Sequence, residues 1–193
     1  MKKIKTRVLV VVCMLGTLIN YANDKEVNDA INAKKTKVVF KGAKKGHQLK
    51  IKDGNGILLY TESVSREGSL TKFFDFSKLK DGHYTLELEK EFEIIIKSLQ
   101  IKRDTVFFNE NTKKVIFKPV IRNEKNRIMI SKISFDNKPL EVVLYYKNEV
   151  ISSEVLKNDT IVNRVYKLDK TIKGEYTVVV RNNGRSYINE FNI

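Results

Sequence analysis

Ninety-two residues after Gly82-His83-Tyr84-Thr85-Leu86-Glu87-Leu88 the chain repeats the pattern as Gly174-Glu175-Tyr176-Thr177-Val178-Val179-Val180. Sliding the sequence by that interval lays residues 45–101 over 137–193 without a gap. The identities that survive are sparse: Glu62 over Glu154, Lys78 over Lys170, Gly82 over Gly174, Tyr84 over Tyr176, Thr85 over Thr177, Ile96 over Ile188 and Ile101 over Ile193. The apolar pattern agrees better. Leu70, Phe74 and Phe76 fall over Val162, Tyr166 and Leu168, with Lys72 over Arg164 in the remaining slot of that face, while Tyr84, Leu86 and Leu88 fall over Tyr176, Val178 and Val180. Both runs have period two, the signature of half-buried strands. A solenoid repeat spans only about 20–50 residues, so each copy here is expected to close over its own core.

The glycine, one residue, then tyrosine sits between two strands of each copy, where the chain must reverse. Glycine accepts positive φ there without steric cost. The tyrosine opens the outgoing strand, and two readings apply. In a tyrosine corner the ring is buried and the hydroxyl bonds to backbone a few residues upstream; in the plainer reading it is a strand aromatic. Recurrence after the same glycine favours the corner.

Met1 to Ala22 reads as a cleaved signal peptide: Lys2, Lys3, Lys5 and Arg7, then apolar Val8 to Ile19, then Asn20-Tyr21-Ala22 ending in a small residue. The apolar run is shorter than the roughly 20 residues a spanning helix needs, so no transmembrane segment is expected in the mature chain. Cys13, the sole cysteine, lies inside that run. Its lipidation is the weaker reading, because Val12 precedes it and the run continues beyond it. Cleavage would leave no thiol and no disulfide, so stability must come from packing.

The expected organisation is a flexible lead-in at 23–33, a first β-sandwich at 34–103 and a second at 104–193, with little linker between. In the first, Thr36 to Phe40 opens, Gln48 to Lys52 and Ile57 to Glu62 flank the turn Asp53-Gly54-Asn55-Gly56, and Leu70 to Phe76, His83 to Glu89 and Phe92 to Ile101 complete the set. Asp53 and Asn55 lack the further acids a calcium loop needs. Strands at 104–109 and 114–121, around the turn Asn109-Glu110-Asn111-Thr112, are expected to open the second copy. The fold class is therefore all-β: two tandem immunoglobulin-like antiparallel β-sandwich domains after the signal peptide.

Phe74-Asp75-Phe76-Ser77-Lys78-Leu79-Lys80-Asp81-Gly82-His83-Tyr84-Thr85-Leu86 resembles the late region of the C-terminal sorting domains of bacterial type IX secretion cargo, and Thr171 to Val178 is similar. The resemblance covers about residues 47–101 and 141–193. It implies small immunoglobulin-like sandwiches and a role in export or surface attachment.

Chemistry is sparse. His47 and His83 occupy non-equivalent positions and read as solvated, and no nucleophile triad, phosphate loop or metal-ligand cluster is legible. A non-enzymatic chain without cofactor or metal is expected. Glu87, Glu89, Glu91 and Glu93 alternate along one strand and read as a solvated face. Charge says more. The net charge is +14, and discounting the four leader cations leaves +10. Lys34, Lys35, Lys37, Lys41, Lys44, Lys45, Lys50 and Lys52 follow one another without an intervening acid. The first six are the candidate binding residues, for an anionic envelope polymer or a protein partner; the competing reading is that edge lysines prevent strand-to-strand aggregation. Without aromatic interleaving, nucleic acid is not expected. The expected role is a secreted, periplasmic or surface-bound interaction module, with a type IX sorting or attachment unit as the alternative.

Overall fold

The computed structural model describes residues 30–135, 138–157 and 160–193. The expected leader, Cys13 and residues 23–29 lie outside them. Among the described residues the chain is all β apart from one 3₁₀ turn, and every strand pairing is antiparallel. The sandwich-type fold expected from the period-two runs is what these residues form.

The first unit comprises β1 (Ala30–Asn32), the 3₁₀ turn Ala33–Lys35, β2 (Thr36–Ala43), β3 (Gln48–Asp53), β4 (Leu58–Ser63), β5 (Gly68–Phe74), β6 (Gly82–Glu89), β7 (Glu93–Lys102) and β8 (Thr105–Phe117). Its large sheet runs β1-β8-β7-β6-β3-β4 and faces the pair β2-β5. The second unit holds β9 (Val120–Glu124), β10 (Arg127–Ile133), β11 (Leu140–Tyr146), β12 (Glu149–Leu156), β13 (Ile161–Lys167), β14 (Glu175–Asn182) and β15 (Arg185–Asn192). Its sheets are β12-β11-β14-β15 and β13-β10-β9. Each unit has its own apolar core. Phe40, Leu49, Leu86, Leu88 and Leu99 anchor one; Ile128, Ile130, Val142, Val178 and Val180 anchor the other.

Four expectations need correction. Strand 105–117 does not open the second unit: it lies along β7, from Lys102 opposite Thr105 to Glu93 opposite Phe117. The physical reason is the two-residue hairpin at Arg103 and Asp104, both at positive φ (48° and 58°), a conformation that folds a chain straight back on its neighbour. The backbone amide of Arg103 also donates to Asp81 Oδ1 at 3.0 Å. What reads as a break between domains is a turn inside one. The expected turn at 109–112 is likewise a bulge in one continuous strand, since Ser98 faces Asn109 while Ile96 faces Lys114. The units meet instead at Lys118-Pro119.

The lead-in is ordered at its end. Ala30–Asn32 pairs with β8, Ala33 is fully buried, and Asn32 caps the 3₁₀ turn by accepting from the Lys34 amide at 2.8 Å.

The ungapped interval of 92 also fails in one place. Val38 faces Lys72 and Ile130 faces Arg164, which preserves it. Ile51, however, faces Leu86 whereas Leu144 faces Val178, so β3 matches β11 at 93. The β3–β4 hairpin is one residue longer than its counterpart, held by Asp53 Oδ1 accepting from the amides of Asn55 and Ile57 at 3.0 and 2.8 Å. The β11–β12 hairpin turns on Lys147 and Asn148 alone, both at positive φ.

Candidate functional site

The Gly-x-Tyr device is a tyrosine corner in both copies. The Tyr84 hydroxyl donates to the Lys80 carbonyl at 2.7 Å and the Tyr176 hydroxyl to the Ile172 carbonyl at 3.1 Å, each four residues upstream. Both rings are buried. The glycines differ, contrary to the shared positive φ expected of them. Gly174 has φ +141°, and a Cβ there would meet the Tyr146 ring at 3.2 Å. Gly82 is ordinary strand backbone opposite Ile101, where a Cβ would meet only Tyr84 at 3.8 Å. These four residues build the fold.

The lysine run divides in two. Lys34, Lys35, Lys37, Lys41, Lys44 and Lys45 are all exposed, and among the described residues none forms an ion pair. Alternation along β2 sends Val38 and Phe40 into the core and Lys37 and Lys41 to the outer face. The 3₁₀ turn adds Lys34 and Lys35, the latter 5.8 Å from the centre of the exposed Phe73 ring. Lys44 and Lys45 project from the turn into β3, where the Lys44 amide donates to His47 Nδ1 at 3.0 Å. Burial, with Lys90 and Lys44 nearby, lowers the His47 pKa. Cations gathered along one strand and its flanking turns attract an anion more strongly than any one alone.

Lys50 and Lys52 belong to a different site. They point from β3 away from the first core, where Lys52 meets Glu87 at 3.0 Å and Lys50 meets Glu89 at 2.6 Å. Arg185 reaches across from β15 to Glu87 at 2.5 Å, and Lys118 to Glu89 at 3.1 Å. Glu87 is only 3% exposed, so the solvated-face reading of the glutamates fails there. Burial alone would raise its pKa, but the hydrogen bonds from Arg185 and Lys52 outweigh this and hold it below the ordinary carboxylate value. Beside it on the same face Ile94, Ile96 and Ile116 form a small buried cluster. Phe117 and Phe135 meet edge-on across the junction with centroids 5.9 Å apart. The outer face of the first large sheet is therefore where the second unit lands. Sequence reasoning missed this, though Val179, the counterpart of Glu87, is also buried on an outer face, a sign that such faces are covered.

Each copy also carries a glutamate at its open side: Glu62 with Lys72 at 2.6 Å, and Glu154 with Arg164. A tyrosine hydroxyl donates to each, from Tyr60 at 2.5 Å and Tyr166 at 2.9 Å. Both phenols are pushed up to about 12, Tyr60 chiefly by its carboxylate and Tyr166 chiefly by burial.

Among the described residues no group of three or more His, Cys, Asp or Glu converges as a metal site, and no helix is long and apolar enough to cross a membrane. No family model matches the chain, and no curated protein does. Among solved structures, the third to fifth extracellular domains of Drosophila OTK superpose with a TM-score of 0.25 at 10% identity, over 82% of this chain and 92% of that one. A likeness at that level indicates neither family nor activity.

Proposed function

We propose that this protein is a non-enzymatic interaction module acting outside the cytoplasm, which holds an anionic partner, an envelope polymer or an acidic protein surface, against the lysine face of its first sandwich. The observation that carries the reading is the six exposed lysines from Lys34 to Lys45, without an ion pair among the described residues, set beside Lys50 and Lys52, which are already taken up by Glu89 and Glu87. Exposed cations along one strand and the turns at its two ends raise the positive potential that an anionic partner meets. The test is retention on dextran sulfate. The protein should bind at low salt and elute steeply as ionic strength shortens the screening length, and a variant with Lys34, Lys35, Lys37 and Lys41 all changed to Gln should elute much earlier. Unchanged elution of that variant sinks the proposal.

A second reading, export or surface attachment of the type IX kind, draws on the Gly-x-Tyr corners that carry the resemblance. Residues 119–193, a unit with its own core, should then export a reporter to which they are fused. A reporter that stays behind removes this reading.

A further inference from the structure

The two copies treat one sheet edge differently. In the second unit β9 lies along the outer edge of β10, with Ile121 opposite Ile130 and Arg122 opposite Met129. The same stretch of the first unit, β1, has crossed to the other sheet and pairs with β8. Among the described residues nothing therefore pairs with the edge of β2 that corresponds to the β9 side of β10. A cleft of about 410 Å³ opens there, bounded by Lys37, Val38 and Val39 on one side and by Lys97, Phe108 and Lys113 on the other. Val38, Val39 and Phe108 give it an apolar part, Lys97 sits over the Phe40 ring at 5.5 Å, and among the described residues none that lines it is acidic.

We infer that the β2 edge is a docking site for an extended peptide segment of a partner protein, one that alternates apolar and acidic side chains. The inference rests on the anionic-partner reading and specifies the partner's form. The second unit shows what fits. At the interval of 92, Lys37, Val38 and Val39 match Met129, Ile130 and Ser131, which β9 covers. A strand seated as β9 is seated would turn one side chain inward beside Val38, as Ile121 turns toward the second core. The next side chain would face Lys37. Main-chain hydrogen bonds supply the affinity of strand addition, and alternate side chains its selectivity. Here the selectivity is for carboxylates, because three ammonium groups surround the cleft.

The probe is a synthetic peptide of residues 119–125 of this chain, with a second version carrying Arg122→Glu, each titrated into the full-length protein and followed by amide hydrogen exchange. Protection should appear at the amides of residues 37–39 that point away from β5. The Arg122→Glu peptide should bind about two- to fivefold more tightly than the parent, the range of an exposed ion pair, and Lys37→Glu in the protein should reverse that order. N-methylation at Ile121 or at Arg122, whichever amide faces β2, should abolish binding, since successive amides of a strand point to opposite edges. Protection elsewhere, or indifference to both methylations, overturns the inference. So does slow exchange without peptide at the amides of 37–39 that point away from β5, which would mean that another part of this chain or a second copy fills the edge. Dextran sulfate retention without peptide binding would overturn the docking site and leave the lysine face standing; peptide binding with Lys-to-Gln elution unchanged would do the reverse.

Discussion

The two sandwiches share a plan and differ in what surrounds it. The second is the plainer: among the described residues, seven strands, β9 paired to β10, and a large sheet ending at β15. The first has sent its opening strand to the other sheet and added β8 beyond β7. On the outer face of β6 it carries Glu87 where β14 carries Val179, and in its core Phe40 where β10 carries Lys132, buried with its ammonium 3.3 Å from Ser134 Oγ. The inner residues of the central strands hardly change between copies, Tyr84, Leu86 and Leu88 against Tyr176, Val178 and Val180. The period-two core specifies a sandwich, and the edges and outer faces are left to specify an assembly.

If the copies are separate cooperative units, damage to one core should leave the other nearly intact. Leu86→Ala, at a fully buried site in the first core, should cost about 3 kcal/mol, in the range for a leucine truncated where neighbours cannot collapse. Calorimetry should show one transition lowered and the other little moved. A single transition that falls as a whole would mean that the units unfold together.

The junction gives the next largest effect. Glu87→Val installs the residue the second copy uses, but strands Arg185 and Lys52 without their shared carboxylate. It should cost about 2 kcal/mol, less than a fully buried pair because both cations remain partly exposed. Arg185→Met added to Glu87→Val should recover part of the loss, and a double-mutant cycle measures the coupling. The pH dependence follows from the lowered Glu87 pKa. A carboxylate whose folded value lies below its unfolded one contributes stability that is fully present above the unfolded value and lost as pH falls through the folded value. The junction should thus hold through pH 4.5, the ordinary glutamate value, and loosen below it. Scattering measured down the pH scale should show the chain extending only in that lower range; extension already at pH 5 would contradict the assignment.

Much of this was readable from the sequence, and what was not has a physical reason. Alternation is local, so the inward set from Leu70 to Leu88 and its copy could be read, as could the corner. Which strand a strand pairs with is not local. Val106 and Phe108 alternate as they would in either unit, and only the positive φ at Arg103 and Asp104 sends β8 back along β7. The misplacement of β3 against β11 by one residue arose because a longer hairpin in one copy is offset between β10 and β11 in the other, leaving the flanking residues at the same interval. Glu87 looked solvated because burial on an outer face depends on a second unit 98 residues away. For the candidate site, the lysines were legible as a run, but their division into six without an ion pair among the described residues and two engaged depends on the non-local pairing of β3 with β6.

The corners separate the copies on a finer scale. Gly174→Ala must place a Cβ at φ +141° against the Tyr146 ring and should cost about 1–2 kcal/mol. Gly82→Ala, in ordinary strand backbone, should fall within about 0.5 kcal/mol of neutral. Equal losses would mean that the glycines serve a common need that the backbone angles do not reveal.

The smallest effect tests what the tyrosine hydroxyls are for. Tyr84→Phe removes the bond to the Lys80 carbonyl and should cost about 1 kcal/mol, the usual net value of one hydrogen bond with a partly buried acceptor. Tyr176→Phe should cost less, because the second corner is held twice. Tyr146 lies against Tyr176 with centroids 5.0 Å apart and donates its own hydroxyl to the Lys173 carbonyl at 2.9 Å, the residue after the carbonyl that Tyr176 holds. Asp53 faces Tyr84 as Tyr146 faces Tyr176, so the first corner has no second phenol to take over. Paired denaturant titrations measure both losses, and adding Tyr146→Phe to Tyr176→Phe should bring the second copy up to the cost of the first. If that double variant behaves like Tyr176→Phe alone, Tyr146 is packing and not a second anchor.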